Sequence, residues 1–294
     1  MSDISTTAIA PGGGQLGERV RLLLRSRSGL IGMILVILLT LLSLASAFGW
    51  LPYDPLAQDP PSRLQPPSGA HWFGTDQFGR DVFVRVAAGV ANSGLIAVVA
   101  VAFATVVGTL AGVFAGFYRG ISDGVVTAIT NILFAFPPLL LALALASVFE
   151  RNWFTIAVAI AIVYVPIFIR VTRGPVLTLR EVEYVKAAKS TGQSSIATVF
   201  RHVIPNLTSI IIVQVTLSLS WAVLTEAALS FLGLGAPPPA PSLGSMIFEA
   251  RTLIMVAPWT MIAPGVVVVL LVVGLNLLGD GLRDSLDPRN RGKR

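Results

Sequence analysis

Cysteine is absent from the 294 residues, which removes disulfides, thiolate metal ligands and any cysteine nucleophile. Histidine is nearly absent too: His71 and His202 are the whole supply. Neither an H-E-x-x-H nor a G-x-S-x-G pattern occurs, so a surface or intramembrane hydrolase has no candidate zinc or serine. Charge is scarce, at 12% of residues against about 25% in an average soluble domain. With 54% apolar residues and a mean hydropathy of +0.79, the chain has too little polar surface to wrap a water-soluble core. These deficits specify an integral membrane protein. The net charge of +6 belongs next to apolar spans rather than to a nucleic-acid interface, so no nucleic acid is expected as a partner.

What is present is a series of long charge-free stretches. Residues 29–51 hold 23 residues without a charge, enough to cross a bilayer that needs about 20. Ala45-Ser46-Ala47 resembles a signal-peptide cleavage site, but the apolar run continues past it through Phe48, Trp50 and Leu51, which favours a retained helix. Further spans are expected over residues 86–118, 124–149, 152–169, 203–225 and 252–279. The expected fold is therefore an all-α membrane protein with six transmembrane helices. Residues 1–28 read as a flexible N-terminal segment, 29–279 as the membrane domain and 280–294 as a tail. Placing both termini in the cytoplasm puts 16 of the 21 lysines and arginines there, as the positive-inside bias demands. His71 and His202 then lie on opposite sides of the membrane and cannot share a metal.

The stretch 173–206 interrupts this pattern with 34 residues that contain no span. Tyr184, Ala187, Ala188 and Thr191 recur at helical spacing, with Glu183, Lys186 and Lys189 turned away and Pro175 at a first helical turn. Gly192 stops that helix. Ser194 or Ser195 can cap a second one bearing Ile196, Val199, Phe200 and Val203, closed by Pro205. Two readings of the ridges stay open: packing on helix ends or headgroups, or docking into a cytoplasmic partner.

Ala187-Ala188, then Gly192, then His202-Val203-Ile204-Pro205 resembles the EAA loop of permease subunits in binding-protein-dependent ABC importers. Three more motifs fit in order: the run from Phe73 and Gly74 through Asp76 and Arg80 to Val82, Leu229 to Gly235, and Gly279 to Asp284 with Asp287-Pro288. Together they are similar to the dipeptide/oligopeptide/nickel branch, and within it to the second ("C") permease. Lys186 at the usual acidic position and His202 at the usual isoleucine position depart from the general loop. The resemblance implies a type I importer domain, half of a heterodimeric pore formed with a homologous permease. It also implies two cytoplasmic ATPase subunits or domains, which bind ATP and Mg, and an extracytoplasmic binding protein that delivers di- or oligopeptides or a related solute. By resemblance the coupling residues are Tyr184, Lys186, Ala187, Ala188, Gly192, Ile196, Val199, Phe200, Arg201, His202 and Pro205. No cofactor is implied for this chain itself. The G-x-x-x-x-G-K-[ST] loop is missing and the one Gly-Lys pair is Gly292-Lys293, so hydrolysis of ATP falls to another subunit.

A stand-alone secondary transporter or channel is the rival reading, as is a membrane scaffold that moves no solute. A proton- or ion-coupled carrier would place an ionisable group at mid-membrane, and Glu226, near the expected outer interface, is the one candidate. With Asn131 and Gln214 it makes up the expected substrate path; Asn276 reads as an interhelical bond. Asp76, Arg80 and Asp81 are candidate periplasmic contacts, with a loop folded onto the helix ends through Arg80–Asp81 pairs as the alternative.

Overall fold

The computed structural model describes residues 21–24 and 26–286. Most of the expected N-terminal segment and the end of the expected tail lie outside them. Regular structure among the described residues is helical, apart from one isolated bridge between Thr75 and Asp81. Helix α1 spans Arg27–Ala47, its first turn capped by Ser26 Oγ accepting from Gly29 N. A loop with one 3₁₀ turn leads to α2, Val82–Tyr118, capped by the Asp81 carboxylate accepting from Val84 N at 2.9 Å.

The single helix expected over 124–149 is two helices. Here α3, Gly120–Phe134, and α4, Pro138–Val148, meet at 93°. Pro137 and Pro138 supply no N–H, and each disfavours helical geometry in the residue before it, so the ladder breaks there. Helix α5, Trp153–Leu179, starts from an Asn152–Thr155 capping box and runs beyond the expected limit at Ile169. Pro175 therefore lies inside it and not at a first turn. Arg170 and Arg173 end the apolar run without ending the helix, because each finds a partner: the Phe134 ring at 4.0 Å for Arg170, Asp123 for Arg173.

The short α6, Glu183–Ser190, precedes α7, a continuous helix over Ser195–Phe231 containing a π turn at Val199–Val203. Pro205 thus does not close a separate helix. Its ring would strike the carbonyl four residues back, and the wider turn, in which Ile204 N bonds Val199 O, carries the ladder past it. Helix α8, Leu243–Ala250, occupies a region expected as loop, and α9, Trp259–Leu286, runs past the expected boundary at Gly279. By length and composition, α1, α2, α5, α7 and α9 can each cross a membrane, and the bent α3–α4 pair can make a sixth crossing. Gly281 packs on Gly29, so the described chain begins and ends at one end of the bundle, the end that carries α6.

The spine is the contact between α2 and α5. Gly108, Gly112 and Gly116, four apart, form a flat stripe on which α5 lies. A Cβ at Gly108 would sit 2.7 Å from Val165 O; one at Gly112 would collide with the Thr172 side chain and lie 2.6 Å from Ile169 O. Gly94, on the same helix, faces open space. Gly112→Ala should therefore lower stability by about 1–3 kcal/mol through overpacking, whereas Gly94→Ala should be neutral or gain about 0.5–1 kcal/mol. Thermal unfolding in detergent checks this, and equal melting temperatures for the two variants would contradict the packing.

Candidate functional site

At the α6 end, sequence and packing combine to make a protrusion with a buried base. Val113 and Phe117 of α2, Val176 of α5, Val185 of α6 and Val199, Val203 and Leu207 of α7 form one buried apolar cluster. Polar bonds tie its rim: Arg180 Nη1 donates to Phe117 O at 2.7 Å, and the Lys189 ammonium lies 4.1 Å from the centre of the Phe117 ring. Arg173 grips Asp123 through two bonds of 2.5 and 2.8 Å, fastening the start of α3 to α5. Between α5 and α6 the Lys186 ammonium, 3.1 Å from Glu181, holds that carboxyl below its usual range. This pair contributes fully above the ordinary glutamate range and is lost as pH falls through the depressed pKa, and its exposure keeps the contribution small.

The turn between α6 and α7 is a Schellman motif. Gly192 N bonds Lys189 O, Gln193 N bonds Ala188 O, and Gly192 sits at φ +85°, where only glycine is unstrained. Ser194 Oγ then accepts from Ala197 N to start α7. His202 Nε2 lies 3.3 Å from Gln193 Oε1, and its ring meets Tyr184 edge to face, which sets the angle between the two helices.

The structure divides the expected second ridge. Val199 and Val203 are fully buried, while Ile196 and Phe200 are 59% and 53% exposed. Together with exposed Tyr184, Ala187 and Thr191 they form a free face, with Ala188 half-buried behind it. Arg201 and Pro205 are exposed as well, and Lys186 points to Glu181. The ridge read from spacing is thus two adjacent stripes, Ile196 with Phe200 and Val199 with Val203, and only the second is covered by the buried cluster.

A second feature is a groove of about 630 Å³ along the middle of the bundle, walled by α5, α7 and the α3–α4 bend. It is mostly apolar, with Phe134, Phe136 and Trp221 among its sides. Two polar pairs face it: Gln214 Nε2 with Ser218 Oγ, and Tyr164 Oη with Thr225 Oγ1, each at 3.1 Å. Gln214 is the only one of the three expected path residues in its wall. Asn131 is exposed outside it. Glu226 is fully buried and absent from the wall, its Oε1 accepting from Ser230 Oγ at 2.6 Å while Oε2 has no hydrogen-bond partner. Asn276 Oδ1 accepts from Ser220 Oγ, joining α9 to α7. The groove residues that sequence reasoning missed, Tyr164 and Thr225, carry hydroxyls in apolar runs, and nothing in their spacing singles them out.

At the opposite end, Asp76, Arg80 and Asp81 are all less than 10% exposed and face inward. The expected Arg80–Asp81 pair does not form: Arg80 pairs with Asp76 at 2.6 Å and with Glu249 of α8 at 3.1 Å, and Arg85 joins both acids. Asp81 holds His71 Nδ1 at 2.8 Å as well as capping α2. The described residues contain no cluster of metal-ligating side chains.

Residues 108–292 match the family model described as the binding-protein-dependent transport system inner membrane component. The chain belongs to this family. It is a permease subunit, a non-catalytic, multi-pass component of an ABC transporter in the inner membrane. Residues 14–67 also match the N-terminal transmembrane domain of oligopeptide transport permease C. Among relatives of this permease, the dipeptide transport system permease protein DppC of Alkalihalophilus pseudofirmus is 41% identical, over 96% of this chain and 91% of that one. The probable D,D-dipeptide permease protein DdpC of Escherichia coli is 40% identical, over 88% and 87% of the two chains. The glutathione transport system permease protein GsiD of Pectobacterium atrosepticum is 38% identical, over 86% and 85%.

Leu207 anchors the permease's protrusion from below. Leu207→Ala should cost about 2–5 kcal/mol locally and raise amide hydrogen exchange across residues 183–203 while leaving α9 unchanged. Uniform exchange along both segments would show that the cluster does not hold the protrusion.

Proposed function

We propose that this permease imports di- or oligopeptides or a chemically related small solute, with the α6 end in the cytoplasm and both termini on that side. The observation that carries the reading is the free face of Tyr184, Ala187, Thr191, Ile196 and Phe200, apolar in part yet held out from a clamped base. Such a face on a fixed base suits insertion into a groove on a cytoplasmic ATPase, and two ATPase subunits or domains binding ATP and Mg would drive the complex. Ala188, Gly192, Val199 and His202 shape the element, whereas Phe200 and Ile196 make contact; Lys186, Arg201 and Pro205 border it.

The groove supports a pore shared with a homologous permease. Facing lipid, Gln214 and the Tyr164 and Thr225 hydroxyls would stand in hydrocarbon; facing a second permease, they line a solute path. An extracytoplasmic binding protein would load the pore from the α8 end. The dipeptide and glutathione names of relatives favour solutes with a peptide bond.

Phe200→Glu puts a charge into the proposed contact, and Gly192→Pro removes the φ +85° turn. Either variant should leave the membrane domain folded but lose the ATPase on co-purification, with ATP-driven uptake reduced by about tenfold or more, as for a lost interface anchor. A full complement of ATPase at unchanged transport rate would refute the coupling role.

A further inference from the structure

A separate cavity of about 430 Å³ opens at the α8 end, between the 233–240 loop, α8 and Arg151 in the loop before α5. Pro238, Pro239 and Phe248 give it apolar walls, and Ser230 and Ser245 also line it, their hydroxyls already donating to Glu226 and to Ser242 O. Its charges are unevenly used. Arg80 is bonded to Asp76 and Glu249, and Glu249 accepts from both Arg80 and Arg85 through Oε2, leaving Oε1 for another donor. Arg151 forms no ion pair among the described residues. Its one bond, Nη2 to Gly235 O, is 3.4 Å long, at the limit for a hydrogen bond. Asp76, Arg80, Arg85 and Glu249 balance one another, so Arg151 leaves the cavity with one uncompensated positive charge.

We infer that this cavity is a carboxylate-receiving subsite of the permease, in which Arg151 takes the C-terminal carboxylate of a short peptide and Glu249 Oε1 takes an N–H of the same molecule. The inference rests on the peptide reading above and adds a residue-level site to it. A guanidinium fork and a planar carboxylate fit one another in two parallel bonds. The proline and phenylalanine in its wall suit a solute that carries an apolar side chain beside its carboxylate.

The test is equilibrium binding of radiolabelled trialanine and of trialanine amide to the full transporter complex in nanodiscs, with the binding protein left out so that its own selectivity does not enter. Wild type should prefer the free acid. Arg151→Gln should weaken trialanine binding by about tenfold or more, the loss of the charge-assisted fork, and leave the amide unaffected. Arg151→Lys, which keeps the charge without the fork, should fall between and keeps the test decisive if the glutamine variant assembles poorly. Equal affinity for acid and amide in wild type, or a loss of both in Arg151→Gln, would overturn the subsite. ATP-driven uptake of trialanine into proteoliposomes, with binding protein present, separates the two readings. Normal uptake with no dependence of binding on Arg151 sinks the subsite alone, and no uptake or binding of any peptide sinks both.

Discussion

The close approach of α2 and α5 along Gly108, Gly112 and Gly116 is the constraint on which the rest of the permease depends. In lipid there is no hydrophobic drive to bring two apolar helices together, so contact rests on shape and dispersion, and only small residues let backbones come this near. The same stripe brings Val113 and Phe117 beside Val176. That juxtaposition makes the floor on which Val185, Val199, Val203 and Leu207 are buried. A short helix such as α6, eight residues long, has no stability of its own in water and exists because this floor is there.

Fixing one side of the protrusion leaves the other side free. Val199 and Val203 turn inward and Ile196 and Phe200 outward, so the exposed pair sits on a packed base shared with α2 and α5. The Arg173–Asp123 fork extends that unit to the start of α3. From there the Pro137-Pro138 bend and the groove wall lie on the same element pair. At the other end, the buried ion network of Asp76, Arg80, Arg85 and Glu249 pins α8 to the loop before α2. Such a network is expensive to break by removing one member, and it fixes where the α8-end cavity sits.

Much of this was legible in the sequence, and the gaps have physical causes. Charge-free length gave the spans, because a bilayer imposes its thickness directly on the chain; α8, too short to cross, left no such mark. The turn at Gly192 could be read because a Schellman motif needs a residue at positive φ, while the split of the ridge could not, because which stripe is covered depends on α2 and α5, far away in the sequence. Arginine at 170 and 173 looked like the end of a helix, though the two side chains only needed partners, which the Phe134 ring and Asp123 supply. The glycine stripe stood in plain view at four-residue spacing and was readable in principle. Asp76, Arg80 and Asp81 announced themselves as charged loop residues, but burial depends on tertiary pairing with Glu249 and His71, far away in the chain or on the other side of a turn.

The central claim is that α2, α5, α6 and the start of α7 move as one body. Spin labels at Ala197 on the protrusion and Val106 on α2, both exposed, measure it directly in the assembled complex. The distance distribution between them should be the same in the resting and ATP-trapped states, while the distance from Ala197 to its counterpart on the partner permease changes. A shift between Ala197 and Val106 on trapping would mean that the protrusion swings on its own, and the account of coupling through the buried cluster would be wrong.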